Sequence, residues 1–197
     1  MSDFDAIVIG AGQSGPPLAV RLAQAGQRVA LVEKSALGGT CVNNGCIPTK
    51  TLVASARAAW VARNAAQWGV RIDGAVTVDM RAVKARKDAV VEESRTSLKA
   101  WLGGTDGLTL VQGEARFSSA HTLQVGSQEL RAERFFIDCG GRPIVPELPG
   151  MSDVPYLTNV NMMDLEVLPE HLIIVGGSYV GLEFAHMYRR FGSRVSV

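Results

Sequence analysis

The sequence predicts an α/β protein built around a repeated unit, with a β-rich segment added between the two copies. Three observations point there. The apolar run Ala6-Ile7-Val8-Ile9 leads directly into Gly10-Ala11-Gly12-Gln13-Ser14-Gly15. A second run, Leu172-Ile173-Ile174-Val175, leads into Gly176-Gly177-Ser178-Tyr179-Val180-Gly181. Between them, stretches of helical period give way to stretches of strand period. Uninterrupted apolar strands suit a parallel sheet covered on both faces.

Behind the first turn, Leu18, Ala19, Leu22 and Ala23 recur at helical spacing and Gly26 ends the helix. Pro16 and Pro17 are compatible with it, because N–H groups of a first helical turn have no intrahelical acceptor. Arg28 to Glu33 reads as the second strand. A loop rich in Gly, Thr, Asn and Cys covers Leu37 to Pro48, followed by an alanine-rich helix from about Thr49 to Gln67. A longer helix is expected from Asp79 to Trp101. Met80, Val83, Val90, Ser94, Leu98 and Trp101 fall near one face, with Arg81, Lys84, Lys87, Glu92 and Glu93 over the rest.

Short strands then read at Leu108–Val111, Thr122–Val125 and Arg134–Ile137, with turns at Gly113 and Gly126-Ser127. Gly140 to Pro155 is rich in Gly and Pro, as an interdomain connection is. In the second unit a helix is expected over Leu182–Phe191 and a strand from Arg194. The expected division is 1–150 and 151–197, with the second domain only begun, so the chain reads as a fragment of something larger.

Composition narrows the function. Of 197 residues, 47% are apolar and 20% charged, with a formal net charge of +1. That gives no electrostatic footprint for nucleic acid or an anionic membrane and leaves a small-molecule role. No apolar run approaches the ~20 residues that span a bilayer. The acidic start, Met1-Ser2-Asp3-Phe4-Asp5, is unlike a signal peptide, so the cytoplasm is expected. Three cysteines are too few for a disulfide framework. A close pair in a reducing compartment is more often catalytic or metal-binding.

The first glycine turn has the layout of a dinucleotide fingerprint. Gly10 permits the tight turn, Gly12 lets backbone approach a pyrophosphate, and Gly15 allows helix to pack on strand. The helix N-terminus offers free N–H groups and partial positive charge to the anion. Glu33 ends the second strand, where a carboxylate can accept from a ribose, with Lys34 next to it. The plain alternative is a glycine-rich turn, but strand, helix and terminal acid are all present. The second turn departs at Ser178, where the strict fingerprint has its middle glycine.

The next motif is Gly38-Gly39-Thr40-Cys41-Val42-Asn43-Asn44-Gly45-Cys46-Ile47-Pro48-Thr49-Lys50. Curling this loop into the helix can bring the two cysteine Cα atoms into the ~4.4–6.8 Å range of a disulfide. A helix N-terminus also favours thiolate. A zinc site would want about four ligands, and neither a CxxC nor clustered His is nearby. The alternatives are a redox-active pair and an inert one; following a dinucleotide motif, the pair reads as redox-active.

This segment resembles the signature of the class I pyridine nucleotide-disulfide oxidoreductases, which include dihydrolipoamide dehydrogenase, glutathione reductase and mercuric reductase. The phrase from Gly38 to Lys50 is most similar to the mercuric reductase branch, and the resemblance covers nearly the whole chain. It implies a Rossmann-like FAD-binding domain with an added β-rich segment, then the start of a Rossmann-like NAD(P)-binding domain. An interface domain that makes a homodimer in the family is absent from this sequence. It further implies that Cys41 is the interchange thiol and that Cys46 lies against the flavin. Gly39 and Thr40 would contact the FAD phosphates and ribityl region, and Lys50 would lie beside flavin N5 with Glu183 as partner. Gly113, Glu114 and Ala115 would meet the adenine.

Asp138-Cys139-Gly140 would close the FAD domain with Cys139 in place of the family's threonine, a buried filler rather than a third redox thiol. Gly176, Ser178 and Gly181 would hold NAD(P)H; the residue choosing between NADH and NADPH is not in the sequence. No metal site is expected. The family's catalytic His–Glu pair has no counterpart, and His121, His171 and His186 read as surface or packing residues.

The expected function is NAD(P)H-linked, FAD-dependent reduction of a disulfide, a quinone-like acceptor or Hg(II) through Cys41 and Cys46. A nucleotide-binding module with little turnover is the alternative. A flavin monooxygenase would share the first turn but not the cysteine motif.

Overall fold

A computed structural model describes residues 2–197, and its contacts group them into two compact units. The first comprises residues up to Asn43 together with Glu92–Arg142, and the second comprises Asn44–Val91 and Pro143–Val197.

In chain order the elements are β1 (Ser2–Asp3), β2 (Ala6–Ile9), α1 (Gly15–Gln24), β3 (Val29–Glu33), α2 (Gly39–Asn43) and α3 (Cys46–Arg63). There follow α4 (Met80–Gly103), β4 (Leu108–Gln112), β5 (Ala115–Ser119), β6 (Thr122–Val125), β7 (Gln128–Arg131) and β8 (Arg134–Ile137). The last three are β9 (His171–Ile173), α5 (Tyr179–Phe191) and β10 (Arg194–Ser196). Single 3-10 turns cover Ala65–Trp68, Met151–Asp153 and Asn161–Asp164.

The first unit holds a four-stranded, wholly parallel sheet in the order β4-β3-β2-β8, with Ile7 opposite Ala30 and Phe135. Successive residues of a strand point to opposite faces, so a doubly covered strand must be apolar throughout. β2 and β3 meet that requirement. Val8, Val29 and Leu31 pack with Ala19, Ala23 and Leu102, which covers one face with α1 and the end of α4. Ile7, Ala30, Val32 and Val111 pack with Leu123, Val125 and Leu130 of a second sheet, β1-β7-β6-β5. Full burial of each such Leu, Ile or Val stabilises by about 1.5–3 kcal/mol. In the second unit α3, α5, the start of α4 and the parallel pair β9–β10 enclose Leu52, Met80, Met162, Met163, Phe184, Met187, Tyr188 and Phe191.

Several expectations are corrected. The alanine-rich helix starts at Cys46 rather than Thr49, because Pro48 falls in its first turn, where its missing N–H costs nothing. It ends at Arg63, and a 3-10 turn carries the chain on to Gly69 at φ 74°. On α4 the inward positions are Met80, Lys87, Val91 and Leu102, not Val90 and Trp101. Lys87 is 3% exposed although its charge argued for the outer face. Its ammonium is paired with Asp88 and lies 4.0 Å from Asp164, while its stem covers apolar surface. Two further strands, β5 and β7, complete the meander, and the second glycine turn's helix begins at Tyr179 instead of Leu182.

Candidate cofactor and redox site

The first glycine turn sits at the end of β2, between two parallel neighbours. Gly10 takes φ 109°, and a Cβ there would stand 2.3 Å from the Asp138 carbonyl oxygen at the end of β8. A Cβ on Gly15 would stand 1.9 Å from the Gly10 carbonyl oxygen. Among the described residues beyond its two chain neighbours, the only contact of a Cβ on Gly12 within 4 Å would be Gly39 Cα, at 4.0 Å, so backbone is open to approach there. Pro16 and Pro17 remove two donors from the first turn of α1. An anion must therefore be met by the N–H groups of the turn itself, from Gly12 to Gly15.

Glu33, 8% exposed, closes this turn from below. Its Oε2 accepts from the Ala11 N–H at 2.8 Å, and its Oε1 accepts from the Ser35 N–H at 2.8 Å and the Ser35 hydroxyl at 3.1 Å. The Glu33 carbonyl accepts from Gly113 N–H at 2.8 Å, which brings residues 113–115 beside the end of β3. There Lys34 lies 4.0 Å from Glu114. The hydrogen bond and charge of Arg116, aided by Lys34, hold the Glu114 carboxyl below the usual carboxylate range.

The loop before the cysteines packs on the same turn. Gly38 N–H donates to the Ala11 carbonyl at 2.8 Å, and a Cβ on Gly39 would come within 2.7 Å of Gly12 Cα. Gly39, Thr40 and Cys41 begin the short helix α2, with Cys41 half-buried. Cys46 is exposed and is the first residue of α3, at the positive end of that helix dipole. The boundary between the units passes between Asn43 and Asn44, so Cys41 belongs to the first and Cys46 to the second.

Within the first unit, Cys139 is exposed, not the buried filler expected, because it lies just past β8 at the sheet end. Its Sγ lies 3.9 Å from the Ile9 carbonyl oxygen, and Gly140 takes φ 67° in open space. The sequence marked Asp138 only as part of the segment closing the first domain and gave its side chain no role. One of its carboxylate oxygens is buried with no hydrogen-bond partner, beside the Gly10 turn. An orphaned buried acceptor, a cradle of glycines that leaves no room for Cβ atoms, and unspent backbone donors together fit a polyhydroxylated, phosphate-bearing cofactor.

In the second unit, Gly176 takes φ 107° and a Cβ on Gly181 would lie 2.4 Å from the Gly176 carbonyl oxygen. Ser178 is the N-cap of α5, in extended conformation, with no capping bond from its hydroxyl. Glu183, one turn into that helix, forms an ion pair with Lys50 of α3. His121, His171 and His186 are all exposed, His171 hydrogen-bonding Ser196 at 3.0 Å. Among the described residues no group of three or more His, Cys, Asp or Glu side chains could hold a metal, and no helix is long and apolar enough to cross a membrane.

Parallel strands that turn through glycine into helices, one of them beside a cysteine loop, define the nucleotide-binding class of α/β proteins. Comparison with known proteins gives the family: residues 4–197 match the pyridine nucleotide-disulphide oxidoreductases, and the chain belongs to that family. It is 38% identical over 204 residues to RclA of Escherichia coli strain K12, described as a probable pyridine nucleotide-disulfide oxidoreductase; the match covers 100% of this chain and 42% of RclA. It is 33% identical over 195 residues to the mercuric reductase of Staphylococcus aureus, covering 99% of this chain and 36% of that protein. Among solved structures, a Cu(II) complex of the E. coli HOCl-induced flavoprotein disulfide reductase RclA superposes with a TM-score of 0.85 at 37% identity. That match covers 99% of this chain and 42% of the other. The chain thus spans about two fifths of the length of these relatives.

Proposed function

We propose that the protein is an FAD-dependent, NAD(P)H-linked oxidoreductase that passes electrons through a Cys41–Cys46 pair to a disulfide or related acceptor. The observation that carries this reading is the close packing of the cysteine-bearing loop on the pyrophosphate turn, Gly39 against Gly12. That packing supports a redox role for Cys41, two residues further along the same loop.

The N–H groups of the Gly10–Gly15 turn would hold the FAD pyrophosphate, and Glu33 with Lys34 a ribose. Gly39, Thr40 and Gly140 would line the ribityl side, and Gly113, Glu114 and Ala115 the adenine. Gly176, Ser178 and Gly181 would take the nicotinamide nucleotide. Bound flavin supplies the two-electron chemistry that links nicotinamide to disulfide. Lys50, ion-paired with Glu183, would offer it a positive charge. Two electrons and two protons convert the Cys41–Cys46 bridge into two thiols. Cys46, the first residue of α3, would be the thiol on the flavin side, and Cys41 would be offered to the acceptor. The acceptor is a disulfide, a quinone-like molecule or a soft metal ion such as Hg(II).

In this reading residues 1–150 form the FAD domain, 151–197 begin the NAD(P)H domain, and the whole protein is a cytoplasmic homodimer. Because the chain spans 42% or less of the relatives named above, a nucleotide-binding module with little turnover remains the second reading. Purified protein should be yellow, and NAD(P)H should raise a long-wavelength charge-transfer band. Cys46→Ser should abolish the band. Its survival in that variant would remove Cys46 from the pathway, and a colourless wild-type protein would sink the flavin assignment.

A further inference from the structure

Asn43 closes α2, and every polar group of its amide is engaged within the first unit. Nδ2 donates to the Gly39 carbonyl at 2.7 Å and the Leu37 carbonyl at 3.0 Å, and Oδ1 accepts from Arg95 Nε at 2.6 Å. An amide with one acceptor and two donors can satisfy all three partners in only one orientation. Arg95 in turn belongs to α4, whose following turns are fastened into the sheet core through Leu98 and Leu102. Its bond to Asn43 is charge-assisted and short, the stronger kind of hydrogen bond. A rigid helix is thereby tied through one amide to the two residues flanking Gly38, the glycine whose N–H donates to Ala11 in the first turn.

We propose that Arg95, acting through Asn43, is a positioning residue that holds the loop before Cys41 against the first glycine turn. Cys41 lies between the strapped carbonyl of Gly39 and Asn43 itself, so the strap fixes both flanks of that thiol. Its consequence for electron transfer rests on the reading of Cys41 given above; the strap itself does not.

The test is amide hydrogen exchange of the full chain, read by mass spectrometry over peptides covering residues 36–43. Arg95→Ala should speed exchange there by about tenfold, the scale of a lost hydrogen bond to a charged group, while β2 and β3 keep their protection. Arg95→Lys, which can still donate to Oδ1, should restore most of it. Asn43→Asp keeps the acceptor for Arg95 but loses both donors, and should loosen the loop at least as much as Arg95→Ala. In a Cys46→Ser, Cys139→Ser background, where Cys41 is the remaining thiol, its alkylation rate should change at least about threefold in the Arg95→Ala variant.

Exchange unchanged over residues 36–43, or raised equally across the whole unit, would overturn the proposal. If Arg95→Ala does not fold, Arg95→Gln against Arg95→Lys supplies the same contrast. A wild-type protein with no charge-transfer band would sink the redox reading while leaving the exchange result standing, so the two failures are distinguishable.

Discussion

A Cβ added at Gly10 would meet the Asp138 carbonyl at 2.3 Å, whereas one at Gly176 would meet none of the described residues beyond its chain neighbours within 4 Å, although both glycines open the same spacing. Their backbones are alike, with φ 109° and 107°, so each turn needs a glycine there for conformational reasons. The steric requirement comes from the neighbouring strand. β2 has β8 alongside it, while β9 has β10 as its one partner among the described residues. The third glycine behaves differently. A Cβ at Gly15 or Gly181 would strike the carbonyl of its own turn's first glycine, at 1.9 and 2.4 Å. That clash is intrinsic to strand–turn–helix, and the first is imposed by the sheet.

Alanine substitutions test this division directly. Gly15→Ala should have the largest effect, at least about 3 kcal/mol of stability, since backbone must move to admit the methyl. Gly10→Ala should follow, adding a clash with Asp138 to the cost of a strained φ. Gly181→Ala should cost somewhat less than Gly15→Ala. Gly176→Ala should cost only the left-handed backbone penalty, about 1–2 kcal/mol. Denaturant melts of the four variants give the order. Equal losses for Gly10→Ala and Gly176→Ala would break the comparison, because the neighbouring strand would then contribute nothing.

Ser178 sharpens the contrast at smaller scale. Its hydroxyl makes no capping bond to α5, so Ser178→Gly should change the melting temperature little. If the side chain limits backbone approach to the nicotinamide nucleotide, that variant should bind NAD(P)H a few-fold more tightly in a titration. Weaker binding would show instead that the hydroxyl itself touches the nucleotide.

What the sequence made legible follows the same line. Gly10, Gly15, Gly176 and Gly181 answer to local backbone geometry, and the runs around Ile7 and Leu31 to burial on two faces; both leave a mark in consecutive residues. Contacts between distant side chains leave none. Asn43 and Arg95 are 52 positions apart, and nothing in either neighbourhood announces their bond. Lys50 and Glu183, 133 apart, could be paired only through a family resemblance. On α4, charge misled: Lys87 holds an inward position because its stem is apolar and Asp88 and Asp164 supply partners at its tip. Trp101 is displaced outward because Leu102, four residues after Leu98, takes the inward place.

The helices behind the two turns differ as much as the turns do. α1 buries small side chains, Ala19, Val20 and Ala23, whereas α5 buries Phe184, Met187, Tyr188 and Phe191. Only the second therefore carries a buried ionisable group among its inward residues. Tyr188 is 1% exposed, its hydroxyl donates weakly to the Met162 carbonyl at 3.4 Å, and burial pushes the phenol up to about 12. A phenol whose folded value lies above its unfolded one contributes stability that is complete below about pH 10 and disappears as pH rises through about 12. In that window the unfolded chain releases a proton that the folded helix retains. Tyr188→Phe cannot titrate, so the stability difference between wild type and variant should be flat up to about pH 9 and move against the wild type at about pH 11. At neutral pH the substitution should cost about 0.5–1 kcal/mol, as expected of one weak hydrogen bond. Denaturant titrations of both proteins at the two pH values measure this. An unchanged difference would mean that water reaches the phenol and that α5 is packed less tightly than its aromatic face indicates.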